Sequence, residues 1–251
     1  MAGPLAGKRS LVTGGGRGIG AAIARALAGQ GAHVTVAGRG MPALETVAKE
    51  IGGRAVQIDL LDRAATDKVL ADMGPIDILV NNSGIAESAP LAKTDDAMWD
   101  RVMELDATAP FRLIRALVPG MIENKWGRVV NIASNAGVSG YQYTAAYCAA
   151  KHAMVGMTRA LAMDLGRTGV TINCICPGWV ETDMVAEAAA RIAKMTGRSE
   201  EEARKALSSM SPQKRMMEPA EIAHTTLMLC AHEGRGIHGQ TIVIDGGAVL
   251  K

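Results

Sequence analysis

Three residues in the middle of the chain have the types and spacing to move a proton. Tyr147 and Lys151 are four positions apart, so on a helix they share a face. A free tyrosine keeps its proton to about pH 10, too high for easy exchange at neutral pH. A neighbouring ammonium favours the phenolate and lowers that value. Ser134, thirteen residues earlier, is spaced to hold the oxygen that exchanges the proton. A lone Tyr-x-x-x-Lys is usually only a helix face. A second piece near the start gives this one more weight.

That piece is Thr13-Gly14-Gly15-Gly16-Arg17-Gly18-Ile19-Gly20. Glycines between a strand and a helix let the backbone approach a pyrophosphate closely. The helix start adds free N–H groups and partial positive charge. The loop lacks glycines at i, i+2 and i+5, so it is not the general dinucleotide fingerprint. It reads T-G-x-x-x-G-x-G through Thr13, Gly14, Gly18 and Gly20.

The elements that must position these pieces are legible. Apolar runs at 10–12, 33–37, 55–58, 76–80, 128–132, 170–175 and 241–245 predict strands. Helical spacing predicts helices over about 19–29, 41–51 and 95–117, the last tolerating Pro110. Further helices are expected between the third and fourth strands, from Tyr147 to about 165, over about 183–207 and over 219–230. Strands alternating with helices mean a parallel sheet covered on both faces, a doubly wound α/β fold of the Rossmann type. No linker or repeat interrupts 1–251, so one domain is expected.

Composition narrows the class. The 251 residues are 48% hydrophobic but only 3% aromatic, so the core must be aliphatic. A net charge of +2, with dispersed basic residues, gives no argument for nucleic acid or an anionic membrane. No apolar run reaches the roughly 18 residues of a span. The segment 1–9 has no signal-peptide core. Cys148, Cys174, Cys176 and Cys230 form no metal-ligand pattern and read as reduced thiols of a cytoplasmic protein; no metal is expected.

The glycine loop, Asn81-Asn82-Ser83-Gly84, Ser134 with Tyr147-x-x-x-Lys151, and Pro177-Gly178 together resemble the short-chain dehydrogenase/reductase family, in order from about Gly7 to Gly247. The resemblance implies a seven-stranded sheet, NAD or NADP, and a homotetramer built through the long helices. By the same resemblance Thr13, Gly14, Gly18, Ile19 and Gly20 line the pyrophosphate, and Asp59 and Leu60 touch adenine. Asn81 and Gly84 border the adenosine and ribose, Ser83 standing where the family more often has Ala. Pro177, Gly178, Val180 and Thr182 meet the nicotinamide end. Tyr147 exchanges the proton, Lys151 holds the nicotinamide ribose, and Ser134 orients the substrate oxygen.

Two positions depart from a generic member. Where an acidic residue at the end of the second strand would select NAD, this chain has Gly38-Arg39. Arg39, with Arg17 in the loop, suits a 2′-phosphate, so NADP(H) is expected over NAD(H). The family usually places an asparagine 28 residues before its serine. Here that position is Asp106, which would alter the proton relay behind Lys151 whether ionised or protonated.

Substrate signals are weaker. The stretch 182–212 is the expected lid, with Met184, Val185, Ala188, Ile192 and Met195 at helical spacing. The segments 139–143 and 86–88 are expected at the pocket. Within the family the chain is most similar to 3-oxoacyl thioester reductases and 3-hydroxyacyl dehydrogenases. Lys125, Arg128 and Arg167 are candidates for a carrier phosphate. A reductase of free cyclic, aromatic or polyol-type ketones is the alternative. A Ser134 hydrolase lacks the G-x-S-x-G motif, and a non-catalytic NADP sensor would have no use for an intact Tyr147.

Overall fold

The computed structural model describes residues 3–250; Met1, Ala2 and Lys251, and with them the ends of the expected domain 1–251 and the start of the segment 1–9, lie outside it. Seven strands form one wholly parallel sheet in the order β3-β2-β1-β4-β5-β6-β7. They are β1 (Arg9–Thr13), β2 (His33–Gly38), β3 (Arg54–Gln57), β4 (Ile78–Asn81), β5 (Gly127–Ile132), β6 (Val170–Pro177) and β7 (Thr241–Ile244). The sequence order reverses between β1 and β4. A crevice therefore opens at their carboxyl ends, where the glycine loop and Asn81–Gly84 emerge.

Side-chain alternation splits the core into two layers. Val12, Val36, Ile78, Val80, Val130 and Ile175 pack under α1 (Gly18–Gly29), α2 (Met41–Ile51) and α9 (Pro219–Cys230). Leu11, Leu79, Val129 and Ile172 face the other way, under α5 (Ala109–Glu123) and α6 (Ala145–Leu165). Both faces are apolar because both are covered. Asp62 caps α3 (Arg63–Ala71), and Gly52 in the left-handed region ends α2.

Two helices differ from their sequence expectation. The expected helix 95–117 is α4 (Asp96–Met103), a π turn (Glu104–Thr108) and α5, which runs to Glu123. Pro110 has no N–H to return to the Asp106 carbonyl, and the Ala109 N–H instead bonds the Glu104 carbonyl five residues back. The π turn directs Leu105 and Asp106 inward. The expected helix 183–207 is α7 (Asp183–Thr196) and α8 (Glu200–Ser209). Gly197, at φ +70°, ends α7, and Ser199 with Glu202 forms a capping box that starts α8.

Candidate active site

The crevice end of β1 is tied to that of β4 by Thr13. Its buried hydroxyl accepts from the backbone N–H groups of Asn82 and Ser83, each at 3.0 Å. The Asn82 amide donates back to the Thr13 carbonyl at 2.9 Å. Thr13 thus ties the glycine loop to the segment after β4. Above it, Gly14 takes φ +65°, and a Cβ on Gly20 would stand 2.3 Å from the Gly14 carbonyl oxygen. The start of α1 carries no acidic residue and no side-chain cap, so its N–H groups are open to an anion. This cradle fits a dinucleotide pyrophosphate.

The surroundings of the cradle differ residue by residue. Arg39 is exposed and in no ion pair among the described residues. Arg17 lies 3.7 Å from Asp183 and 3.9 Å from Glu187 on α7, so its charge is shared with that helix. Asp59 is exposed, and Leu60 is buried in the core, offering only its backbone to a ligand. Val180 is likewise buried, against Met217. Ile19 is partly buried against the core beneath the loop. Pro177 ends β6, the Gly178 N–H bonds the Ile244 carbonyl, and the Thr182 hydroxyl bonds the Val180 carbonyl. Asn81 is buried and donates to Asn131, which donates to Thr158.

Ser134, Tyr147, Lys151 and Asp106 come together beside this crevice. Ser134 follows β5 and opens a 3₁₀ turn (Asn135–Gly137) that packs against α6. A Cβ on Gly137 would stand 2.8 Å from the Lys151 carbonyl oxygen, so only glycine lets turn and helix approach this closely. Lys151 is buried, its ammonium 3.4 Å from the Ile132 carbonyl and 5.6 Å from the Tyr147 ring centre. Asp106, with no exposed surface, reaches in from the π turn. Its Oδ1 accepts from the Ile85 N–H at 2.9 Å, and its Oδ2 lies 3.1 Å from Lys151 Nζ. Gly84 walls the pair: a Cβ there would meet Oδ2 at 3.0 Å and Nζ at 3.2 Å.

The electrostatics follow from this packing. Burial pulls the Lys151 ammonium down, but Asp106 and Tyr147 outweigh it and hold the lysine above its usual value. Burial pushes Asp106 up from the carboxylate range against the pull of Lys151. The Tyr147 phenol is also raised, first by burial. Lys151 lowers it, Asp106 raises it, and the Ser134 hydrogen bond lowers it. The downward shift expected from Lys151 alone is therefore reversed.

A cavity lined by Tyr141, Trp179, Leu207, Met210 and Met217 opens beside Asn135. Arg215 reaches it but is held by both oxygens of Glu221. The two loops expected at the pocket are joined by a bond from the Ala89 N–H to the Tyr143 carbonyl. The apolar face expected on the lid is divided. Val185, Ala188 and Ala189 are buried, Val185 and Ala189 packing with Ala203 and Leu207 of α8, while Met184 and Met195 are exposed. Arg128 is removed from the candidates for a carrier phosphate: it is buried at the opposite end of β5, stacked on Trp126. Gly137 and Asn131 escaped the sequence reading, and Asn82 entered it only as part of its motif, because their roles depend on neighbours distant along the chain.

A doubly wound sheet with a phosphate cradle at its switch point, and a Tyr–Lys pair beside it, defines a nucleotide-dependent enzyme that moves a proton. The family described as short chain dehydrogenase matches residues 8–193. Nodulation protein G of Rhizobium sp. (strain N33) is 36% identical over 98% of both chains. A 3-oxoacyl-(acyl-carrier-protein) reductase of Rickettsia conorii is 32% identical over 98% of both. The structure of actinorhodin polyketide ketoreductase with NADPH superposes with a TM-score of 0.91 at 35% identity, over 99% of both chains. The chain belongs to the short-chain dehydrogenase family. It is an oxidoreductase of the CH–OH/C=O pair.

Proposed function

We propose that the chain is an NADP(H)-dependent ketoreductase acting on a 3-oxoacyl thioester. The half-buried Tyr147, with Ser134 beside it and Lys151 behind it, carries this reading. A nicotinamide dinucleotide in the cradle supplies the hydride, or accepts it in the reverse reaction. Ser134 orients the carbonyl oxygen of the substrate. The Tyr147 O–H bond breaks as that oxygen takes the proton, giving the secondary alcohol and leaving a phenolate stabilised by Lys151. Gly14, Gly18, Gly20 and the start of α1 hold the pyrophosphate, and Lys151 the nicotinamide ribose. Pro177, Gly178, Val180 and Thr182 flank the nicotinamide. Asp59 and Leu60 sit at the adenine.

The free, exposed Arg39 supports NADP(H) over NAD(H), as does the NADPH in the related ketoreductase. The cavity sets Trp179, Leu207, Met210 and Met217 beside Asn135, Ser211 and the acidic Asp245, with its one arginine neutralised, which supports an acyl substrate over a free acid or sugar phosphate. Exposed Phe111, Ile122 and Met163 on α5 and α6 support a homotetramer. An NADPH-oxidation screen over 3-oxoacyl thioesters, cyclic ketones and aromatic ketones tests the substrate. Turnover confined to free ketones would move the assignment to the alternative. Tyr147→Phe is expected to lower kcat about a thousandfold, the loss of a general acid, with NADPH affinity kept. Retained turnover would remove Tyr147 as the proton donor.

A further inference from the structure

Asp106 sets a carboxylate against Lys151, and its placement is specific. It sits on the π turn with no exposed surface. Its Oδ1 is fixed by the Ile85 N–H, and its Oδ2 touches Lys151 Nζ at 3.1 Å with no other donor. Gly84 closes the remaining side. Lys151 is therefore shared between a carboxylate on one side and the Tyr147 ring on the other.

We propose that Asp106 is a positioning residue that offsets the Lys151 charge and so keeps the proton on Tyr147 into the alkaline range, holding the site ready for proton donation to a ketone. The proposal deepens the ketoreductase reading above and rests on it for its meaning in turnover. The physical basis is short-range Coulomb interaction in a buried site. A lone ammonium beside a phenol stabilises the phenolate. An ammonium already facing a carboxylate presents a much smaller field. The other groups facing this cluster are Ser134 after β5, Cys148 on α6, Cys174 on β6, and Glu87 in the loop after β4, itself paired with Arg101. None of these brings a second carboxylate to the phenol at the range of Asp106. The upward direction of the Tyr147 phenol agrees.

Asp106→Asn is the near-isosteric test, read in two ways. The first needs no substrate. The chain has three tyrosines, Tyr141, Tyr143 and Tyr147, so the Tyr147 phenolate can be isolated in the near ultraviolet by subtracting a Tyr147→Phe background. The Tyr147 midpoint is expected to fall by at least about one pH unit in Asp106→Asn, a tenfold change in the phenol-to-phenolate ratio. The second readout is the pH profile of kcat/KM for ketone reduction, whose alkaline limb should move down by the same amount. Coincident phenolate titrations in folded wild type and variant would mean that Asp106 carries no charge at the pair, and would overturn the proposal. Asp106→Ser serves if the asparagine variant fails to fold. If no ketone is reduced, the ketoreductase reading fails while the phenolate titration still decides the role of Asp106.

Discussion

Single residues decide which cofactor enters and whether a proton can leave. Arg39 stands exposed at the end of β2 with no acid to neutralise it, whereas Arg17 already has two carboxylates of α7 within ion-pair range. Arg39 should therefore carry most of the selection for a 2′-phosphate. Arg39→Ala is expected to raise the KM for NADPH at least about tenfold and leave that for NADH unchanged, the loss of one charge-assisted phosphate contact. Equal losses for the two cofactors, in parallel kinetics, would show that Arg39 does not read the phosphate. At the same scale, Asp106 shows what a one-atom change from asparagine does. The fold accommodates it, but the charge beside Lys151 is redrawn.

At the scale of elements, the site depends on how closely neighbours approach. The turn after Ser134 touches α6 through Gly137, where a Cβ would collide with the Lys151 carbonyl. Gly137→Ala should push the turn outward and separate Ser134 from Tyr147. Its expected signature is a kcat at least about tenfold lower with unchanged NADPH binding, together with a lower Tm from a stability loss of roughly 1–3 kcal/mol, that of an overpacked contact. A loss of Tm with kcat intact would show that the turn does not position Ser134. The helix α9 gives a pH-dependent counterpart. The Arg215 guanidinium holds the Glu221 carboxyl down at about 2, with help from the Glu218 N–H at the helix start. Because the folded value lies below the ordinary 4.5, the stabilisation is complete above pH 4.5 and fades as pH falls toward about 2. Glu221→Gln should lower Tm at pH 7, and its difference from wild type should shrink steadily in acid. A difference independent of pH would assign the loss to the cap geometry alone.

For the whole molecule, the two-layer core covers both faces of the sheet, and its outer helices leave apolar side chains in solvent. Phe111 and Ile122 on α5 and Met163 on α6 remain exposed, Met163 to 85%. Light scattering is expected to give the mass of four chains, and Met163→Glu with Phe111→Glu should dissociate them without unfolding the subunit. A monomeric wild type would refute the assembly. No helix among the described residues is long and apolar enough to cross a membrane, and no cluster of three metal-ligating side chains occurs among them.

Much of this was legible along the chain. Strand and helix periods, the order of β and α segments, the glycine loop and the Tyr147–Lys151 spacing are local signals, set by side-chain hydrophobicity and backbone freedom within a few residues. They determined the doubly wound fold, the switch point and the family resemblance. Pro110 marked a weak point in the expected helix, but local signals could not show that a π turn forms there, because that also depends on what α5 packs against. Nor could they show that Arg17 faces Asp183 and Glu187, that Arg128 is buried at the far end of β5, or that Gly137 admits Lys151. The sign of the Tyr147 shift belongs to the same class. Burial raises the phenol first; Lys151, four residues away, speaks for the phenolate, and Asp106, 41 residues away, speaks against it. Only the tertiary structure brings the two charges to 3.1 Å in a site without water-exposed surface on the carboxylate, where charge interactions are strongest.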